Sequence, residues 1–268
     1  MLKKYNVFIT AFLMLAHMQT ASAKVIGEEV AYSLDGVKLS GYLAYDDAIK
    51  GKRPGVLVIH EWWGHDAYAR KRAEMLAKLG YTAFSLDMYG DGKVTSHPDD
   101  AKKFMTEVTK NMSVARARYK KALQLLTQSS QTDASNIAAI GYCFGGAMVL
   151  DMARQGLDVK GVASFHGSLG TQTPAQKGKV KAKIRVFNGA DDKFVSAKSI
   201  DDFRLEMQKA DVDFEFINYP GAKHSFTNPG STWLGKKYKL PLEYNEQADK
   251  KSWQKMQAFF KEIFTNKP

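Results

Sequence analysis

The chain has 268 residues, of which 44% are hydrophobic, a formal net charge of +11 at pH 7 and a single cysteine. This length and apolar content suffice for one large domain with a full core. The basic residues are scattered, with no aromatic–basic repeat or arginine cluster, so a nucleic-acid partner is not indicated. A single cysteine excludes an internal disulfide, and the thiol is either buried and inert or kept for its reactivity.

The first 23 residues have the layout of a secretory signal peptide. Lys3 and Lys4 precede an apolar segment from Val7 to Ala16, and Ala21-Ser22-Ala23 has the form of a cleavage site. The apolar segment is shorter than a membrane span. We therefore predict cleavage after Ala23 and an exported protein, periplasmic or secreted, with one domain over residues 24–268. An uncleaved membrane anchor is the alternative.

The rest of the chain alternates between strand and helix patterns. In chain order they predict a hairpin (30–34 and 37–44), a buried strand (55–60), a helix (69–79), a strand (82–86), one or two helices (99–112 and 113–127), a strand and helix around residue 143 (137–140 and 147–153), two strands (161–165 and 184–187), a helix (196–210), a strand (214–219) and a last helix after Asn245. Residues 227–244 contain Pro and Gly without a sustained apolar period, so we interpret them as a long surface loop. The alternation predicts an α/β protein with a mostly parallel, doubly wound sheet and helices on both faces.

One short segment between a predicted strand and helix carries the strongest chemical signal. Residues 140–146 read Ile-Gly-Tyr-Cys-Phe-Gly-Gly, which is the nucleophile-elbow pattern with cysteine in place of serine. The glycines let strand and helix approach closely. The residue between them stands at the carboxyl edge of the sheet, above a helix N-terminus that favours a thiolate and an oxyanion. Cys143 is the predicted nucleophile, and an inert buried cysteine is the alternative.

A thiol nucleophile needs a base and an acid that orients the base. Only two histidines follow Cys143, and the histidine comes last in α/β-hydrolases. His224 lies in a loop just past a predicted strand, where catalytic groups are usually displayed, and His166 is the second candidate. The acid is expected after the strand 184–187, where Asp191 and Asp192 are adjacent. We favour Asp192 as the acid, with Asp191 as a turn former or helix cap.

Taken together, these segments resemble the dienelactone hydrolase family of cysteine α/β-hydrolases. The matching segments are His60-Glu61-Trp62-Trp63-Gly64, the elbow, residues 189–195 and residues 221–226. They occur in the order of the family over nearly the whole exported chain. The resemblance implies the α/β-hydrolase fold and a triad of Cys143, Asp192 and His224.

The resemblance further implies that Glu61 contacts the thiol and helps to set its ionisation. It also implies an oxyanion hole made by the backbone N–H groups of Trp62 and Phe144. The residues support a role for Glu61 independently, because it directly follows a buried strand and reaches the same sheet edge as Cys143. A carboxylate near a thiol opposes a second negative charge, so it would hold the resting thiol protonated.

These features predict an ester or lactone hydrolase that works through a thioester acyl-enzyme. We assign the substrate pocket to Trp63, Tyr89 and Phe226. The family's arginines, which grip the carboxylate of a dienelactone, have no counterpart: Asp87-Met88-Tyr89 is followed by Gly90-Asp91-Gly92, and His224-Ser225-Phe226 by Thr227-Asn228. We therefore expect a small-molecule ester or lactone other than the dienelactone.

We expect no cofactor and no metal, because the histidines lack a paired ligand spacing such as H-E-x-x-H. We also expect a monomer without an integral membrane segment once the signal peptide is removed. Two alternatives remain open at this point. The lone thiol would suit a redox protein, and the fold would suit a module that binds a ligand without hydrolysing it.

Overall fold

Eight strands form one sheet in the structure, a computed structural model that describes residues 24–265. The strands are β1 (Val25–Leu34), β2 (Val37–Asp46), β3 (Arg53–Ile59), β4 (Thr82–Leu86), β5 (Thr132–Tyr142), β6 (Gly161–Phe165), β7 (Lys183–Gly189) and β8 (Phe214–Tyr219). Their order across the sheet is β1-β2-β4-β3-β5-β6-β7-β8. Strand β2 runs antiparallel to both of its neighbours, and the other adjacent pairs are parallel. The predicted mostly parallel α/β-hydrolase sheet is confirmed.

Helices cover both faces of this sheet. They are α1 (Ala67–Lys78), α2 (Pro98–Thr109), α3 (Met112–Gln128), α4 (Phe144–Arg154), α5 (Ala197–Lys209), α6 (Ser231–Tyr238) and α7 (Glu246–Thr265). Helices α1 and α7 pack on one face, and α2, α3, α4 and α5 on the other. In β3, Leu57 and Ile59 point to the second of these faces and Val56 and Val58 to the first, which explains why the strand is apolar without interruption.

The prediction of a plain surface loop at 227–244 is wrong, because the segment contains α6. This helix has only eight residues, too few for a clear apolar period. It is held by tertiary packing: Leu234 and Leu242 are buried together with Trp63 in a small separate cluster. The helix therefore covers the loop that follows β3, which carries part of the predicted site.

The predicted signal peptide, residues 1–23, lies outside the described residues. Across residues 24–265, no helix combines the length and apolar character that a membrane crossing requires. The same part of the chain contains no group of three or more His, Cys, Asp or Glu side chains arranged to hold a metal ion.

Candidate active site

Cys143 occupies a strained turn between β5 and α4. Its backbone has φ 53° and ψ −114°, a region that side-chain-bearing residues rarely adopt. Gly141 and Gly145, on either side of Cys143, must be glycines because a side chain at either position would clash with backbone atoms. A Cβ at Gly145 would overlap the carbonyl oxygen of Ile59, and one at Gly141 would overlap the carbonyl of Gly145. The turn thus brings the thiol to the carboxyl end of β5, as the elbow pattern predicts.

The backbone amide of Cys143 has two acceptors at the end of the adjacent strand β6. Its N–H points at the carbonyl oxygen of Phe165 (3.0 Å) and at Nδ1 of His166 (3.1 Å). Because Nδ1 of His166 accepts, its Nε2 carries the proton and donates to Oγ1 of Thr227 (2.7 Å). Burial, together with the nearby charge of His224, holds the pKa of His166 well below its usual range. His166 is therefore a neutral support for the elbow, and it does not reach the thiol as a base.

His224 bridges the thiol and a carboxylate. Its Nε2 lies 3.1 Å from Sγ of Cys143, and its Nδ1 lies 2.7 Å from Oδ2 of Asp192. The second oxygen of Asp192 accepts from the backbone N–H of Phe194 (2.8 Å), which fixes the carboxylate. Asp191 is exposed, so the structure brings Asp192 and not its neighbour to the imidazole. The three predicted triad residues meet although they come from the ends of three different strands.

The electrostatics of this group favour a protonated His224. Burial by itself would lower the pKa of His224, but the adjacent Cys143 thiolate and the hydrogen bond to Asp192 raise it to about 10. An imidazolium at neutral pH stabilises a thiolate beside it. The ring of Phe194 covers one side of the imidazole, with ring centroids 4.9 Å apart.

Glu61 is buried close to this group but bonds to other partners. Its carboxylate accepts from Oγ of Ser225 (2.5 Å) and from Nδ2 of Asn228 (2.6 Å), while the thiol bonds to His224. The expected Glu61–thiol contact is thus not present among the described residues, because the hydroxyl and the amide are stronger donors than S–H. Burial raises the pKa of Glu61, and the two hydrogen bonds oppose this shift.

The two backbone amides of the predicted oxyanion hole belong to segments that a hydrogen bond joins. Phe144 is the first residue of α4, so its N–H has no partner within the helix. Trp62 follows β3, and the next amide of the elbow, that of Gly145, donates to the carbonyl of His60 (3.1 Å) and joins the two segments. Within residues 24–265, neither the Trp62 nor the Phe144 amide donates to a protein acceptor. Both amides are therefore available to a ligand.

The sequence model of the dienelactone hydrolase family matches residues 39–264. The chain belongs to this family. Among curated proteins it is 30% identical to Protein usf of Aquifex pyrophilus, over 90% of this chain and all of that one. It is 29% identical to a putative carboxymethylenebutenolidase of Aquifex aeolicus, over 76% of this chain and 88% of that one.

Solved structures agree with the family assignment. A dienelactone hydrolase-like promiscuous phosphotriesterase from metagenomic libraries superposes with a TM-score of 0.83 and 32% identity, covering 90% of this chain and 99% of that one. The predicted family, its hydrolase class and its fold are confirmed.

The thiol opens into a cavity of about 440 Å³. Besides Cys143 and His224, its wall is mainly apolar and includes Trp62, Met105, Phe144, Ala147, Met148 and Phe194. No arginine or lysine of the described chain lines it. The carboxylate clamp of the dienelactone hydrolase family is therefore missing from the cavity, as it is from residues 87–92 and 224–228.

The three side chains that the sequence assigned to the pocket lie elsewhere, and that assignment is corrected. Trp63 is buried against Leu234, under α6. Tyr89 is also buried and donates its hydroxyl to the carbonyl of Trp62 (3.0 Å), so it supports the predicted oxyanion segment from behind. Phe226 packs edge-on against the ring of His166, with centroids 5.3 Å apart.

The sequence gives only weak indications of the residues that do line the cavity. Met105 lies on α2 at helical spacing, where an apolar residue is expected in any case. Phe194 comes two residues after Asp192 and is exposed, so its position could have been inferred only from the geometry of the acid loop. His166 gave one signal, a histidine directly after a strand, but its role as an acceptor depends on the fold.

Proposed function

We propose that this protein hydrolyses neutral carboxylic esters or lactones through a Cys143–His224–Asp192 triad. One observation carries the proposal: Sγ of Cys143 lies within hydrogen-bond reach of a histidine whose other nitrogen is bonded to a buried carboxylate. This is the arrangement that activates a nucleophile by an oriented base. Its position at the wall of a mainly apolar cavity gives an acyl substrate a place to bind.

The reaction would proceed in two halves. The thiolate of Cys143 attacks the carbonyl carbon, and the resulting oxyanion accepts from the amides of Trp62 and Phe144. The tetrahedral intermediate collapses as the imidazolium of His224 protonates the departing alkoxide, which leaves a thioester. His224 then takes a proton from water, and the hydroxide adds to the thioester. Collapse of this second intermediate releases the carboxylic acid and expels the Cys143 thiolate beside the His224 imidazolium, which is the starting state.

Glu61 is proposed to act on this group in two ways. Its hydrogen bond to Ser225 anchors the residue that directly follows His224, so Glu61 holds the loop carrying the base. Its charge also interacts with the imidazolium, which lowers the pKa of Glu61 against the effect of burial. The predicted control of thiol ionisation by Glu61 remains a proposal, because in this conformation the thiol bonds to His224.

The substrate is proposed to be neutral at the reacting end. Among the residues that line the cavity, the cationic group is the His224 imidazolium, which is already paired with Cys143 and Asp192. A carboxylate elsewhere in the cavity would lose its hydration without meeting a free cation, which is costly. The apolar walls instead favour alkyl or aryl groups next to the carbonyl. This separates the protein from a hydrolase that grips an anionic dienelactone.

Phosphotriester hydrolysis is a second candidate activity. A relative that is 32% identical is named a promiscuous phosphotriesterase. A phosphotriester is also neutral, and attack at phosphorus places negative charge on an oxygen that the same two amides could bind. Turnover of paraoxon that is lost in a Cys143→Ala variant would support this activity, and turnover that survives the substitution would refute it.

The main test compares the wild-type chain with Cys143→Ala and with Lys198→Ala, a control at an exposed surface pair. Activity is measured on p-nitrophenyl acetate and on an unsubstituted lactone. We expect Cys143→Ala to lower kcat/KM by about 10³-fold or more and Lys198→Ala to leave it unchanged. Acid quenching during turnover should trap the acyl group on the peptide containing Cys143, as seen by mass spectrometry. Full activity in Cys143→Ala would overturn the triad.

Export is proposed on the basis of residues 1–23 and is tested separately. Sequencing the N-terminus of protein recovered outside the cytoplasm should give Lys24 as the first residue. Recovery of chains that still begin at Met1 would overturn the predicted cleavage.

A further inference from the structure

A second cavity of about 450 Å³ adjoins the catalytic one. The two share four wall residues, Thr109, Ala147, Met148 and Gly170. Because Ala147 and Met148 belong to α4, the two cavities lie next to each other along this helix, leading away from Cys143, and together they are called the groove. Asp151 lines the second cavity eight residues beyond Cys143, which corresponds to about 12 Å along a helix. The groove is long enough for much more than the acyl group of a short ester.

The chemical character of the groove changes along its length. The catalytic cavity is mainly apolar, whereas the second cavity is lined by Arg116, Asp151, Arg154 and the segment Thr171–Thr173. Its charged groups are already paired. Asp151 accepts from Nε (3.0 Å) and Nη2 (2.8 Å) of Arg116 and from the hydroxyl of Tyr119 (3.0 Å).

The other arginine of the second cavity is neutralised in the same way. Arg154 is buried and donates to both carboxylate oxygens of Glu206, each at 2.8 Å, and to the carbonyl of Leu169. The far end of the groove is thus polar without net charge. For a ligand it offers hydroxyl and amide groups, such as those of Thr171 and Gln172. An incoming carboxylate would approach Asp151 together with Arg116, so the cation would not be free to bind it.

The geometry of the reaction decides which half of an ester would enter the groove. The leaving alcohol must lie beside Nε2 of His224 to receive its proton, on the side where Phe194 stands. The side formed by α4, with Ala147 and Met148, remains for the acyl group.

We propose that the groove is an acyl-binding subsite for long-chain esters whose acyl chain ends in a neutral hydrogen-bonding group, such as a hydroxyl or a carboxamide. The inference rests on the proposed hydrolase function and adds the substrate class to it. The apolar part of the acyl chain lies along the first cavity, and its polar end meets the polar wall of the second, where the charged side chains are paired.

Gly170 provides a way to close the passage between the cavities. A Cβ built at this residue meets no atom within 4 Å, and its φ does not lie in the left-handed region, so a side chain can begin here without a clash at Cβ or backbone strain. Because Gly170 lines both cavities, we expect a leucine there to narrow the groove where they meet. Gly170→Ala is the matched small variant, and Lys198→Leu places a leucine at an exposed site away from the groove.

The substrates are p-nitrophenyl acetate, p-nitrophenyl decanoate and the ω-hydroxy and ω-carboxy derivatives of the decanoate. In the wild-type chain we expect kcat/KM for the ω-hydroxydecanoate to exceed that for the decanoate by about 2- to 10-fold, the worth of one net hydrogen bond. The ω-carboxy ester is expected to be the poorest of the three long substrates. Gly170→Leu should lower the ratio of ω-hydroxydecanoate to acetate kcat/KM at least about tenfold, with Gly170→Ala and Lys198→Leu close to wild type.

Each outcome has a distinct meaning. If the wild-type chain turns over the acetate but prefers the ω-carboxy ester, or if Gly170→Leu leaves the ratio unchanged, the subsite is refuted while the hydrolase function stands. If no ester is turned over by the wild-type chain, the proposed function itself fails. The wild-type substrate series decides the question even if Gly170→Leu does not fold.

Discussion

Replacing Arg72 with methionine is expected to lower the free energy of unfolding by about 3–5 kcal/mol. Arg72 is buried, and its Nη2 donates to the carbonyl of Thr227 and to Oδ1 of Asp249, both at 2.6 Å. Its guanidinium also lies over the rings of Tyr68 and Trp253. Methionine preserves most of the volume but leaves the Asp249 carboxylate without its cation.

The loss of unfolding free energy in Arg72→Met should depend on pH. Burial raises the pKa of Asp249 and Arg72 opposes that shift, so removal of Arg72 raises the pKa further. An acid whose pKa is raised on folding destabilises the fold as the pH increases above its unfolded value. The loss should therefore be larger at pH 8 than at pH 5. For a chain of this size it corresponds to a fall in Tm of roughly 6–20 °C.

Urea unfolding followed by tryptophan fluorescence measures this loss at both pH values. The matched control is the double variant Arg72→Met/Asp249→Asn, which removes the unpaired carboxylate and should recover part of the stability. An Arg72→Met protein within about 0.5 kcal/mol of the wild type at pH 8 would refute the reasoning.

Two further predictions concern the titrating groups of the site. Asp192→Asn should move the alkaline limb of the pH profile of kcat/KM to lower pH, because the carboxylate helps to raise the pKa of His224 to about 10. The profile is measured on p-nitrophenyl acetate, and an alkaline limb that stays in place would contradict the proposed Asp192–His224 pair. Glu61→Gln should become more stable relative to the wild type as the pH rises from 5 to 8, since a buried acid with a raised pKa loses stability over that range. Urea titrations at the two pH values test this. If the free energies of unfolding of the two proteins change with pH in parallel, a raised pKa of Glu61 is contradicted.

Most of the fold could be predicted because its central strands are covered on both faces. The buried parts of β3 (residues 56–59) and β5 (residues 137–140) carry apolar residues at every position, which makes them visible as continuous apolar runs. Helix α6 could not be predicted from periodicity. Its eight residues are stabilised by contacts with Trp63, which is distant in sequence, and with Leu242, which lies just after the helix. Neither contact contributes to the apolar period of the helix itself.

The candidate triad was predictable for a related reason. Parallel strands bring their carboxyl ends to one edge, so polar residues just after β5, β7 and β8 were expected to meet. The pocket was not predictable, because it depends on which way each aromatic side chain points. Trp62 faces the cavity, whereas its neighbour Trp63 faces α6, and nothing in their shared residue type distinguishes them.

The partly exposed thiol of Cys143 is the only one in the chain, and this has a practical consequence for measurement. A reagent selective for thiols can modify one atom per polypeptide, and that atom belongs to the candidate site. The equivalents of reagent consumed by folded protein therefore count competent sites directly, independent of any substrate. A ligand that occupies the cavity should slow this labelling, which would allow compounds to be screened before any natural substrate is known.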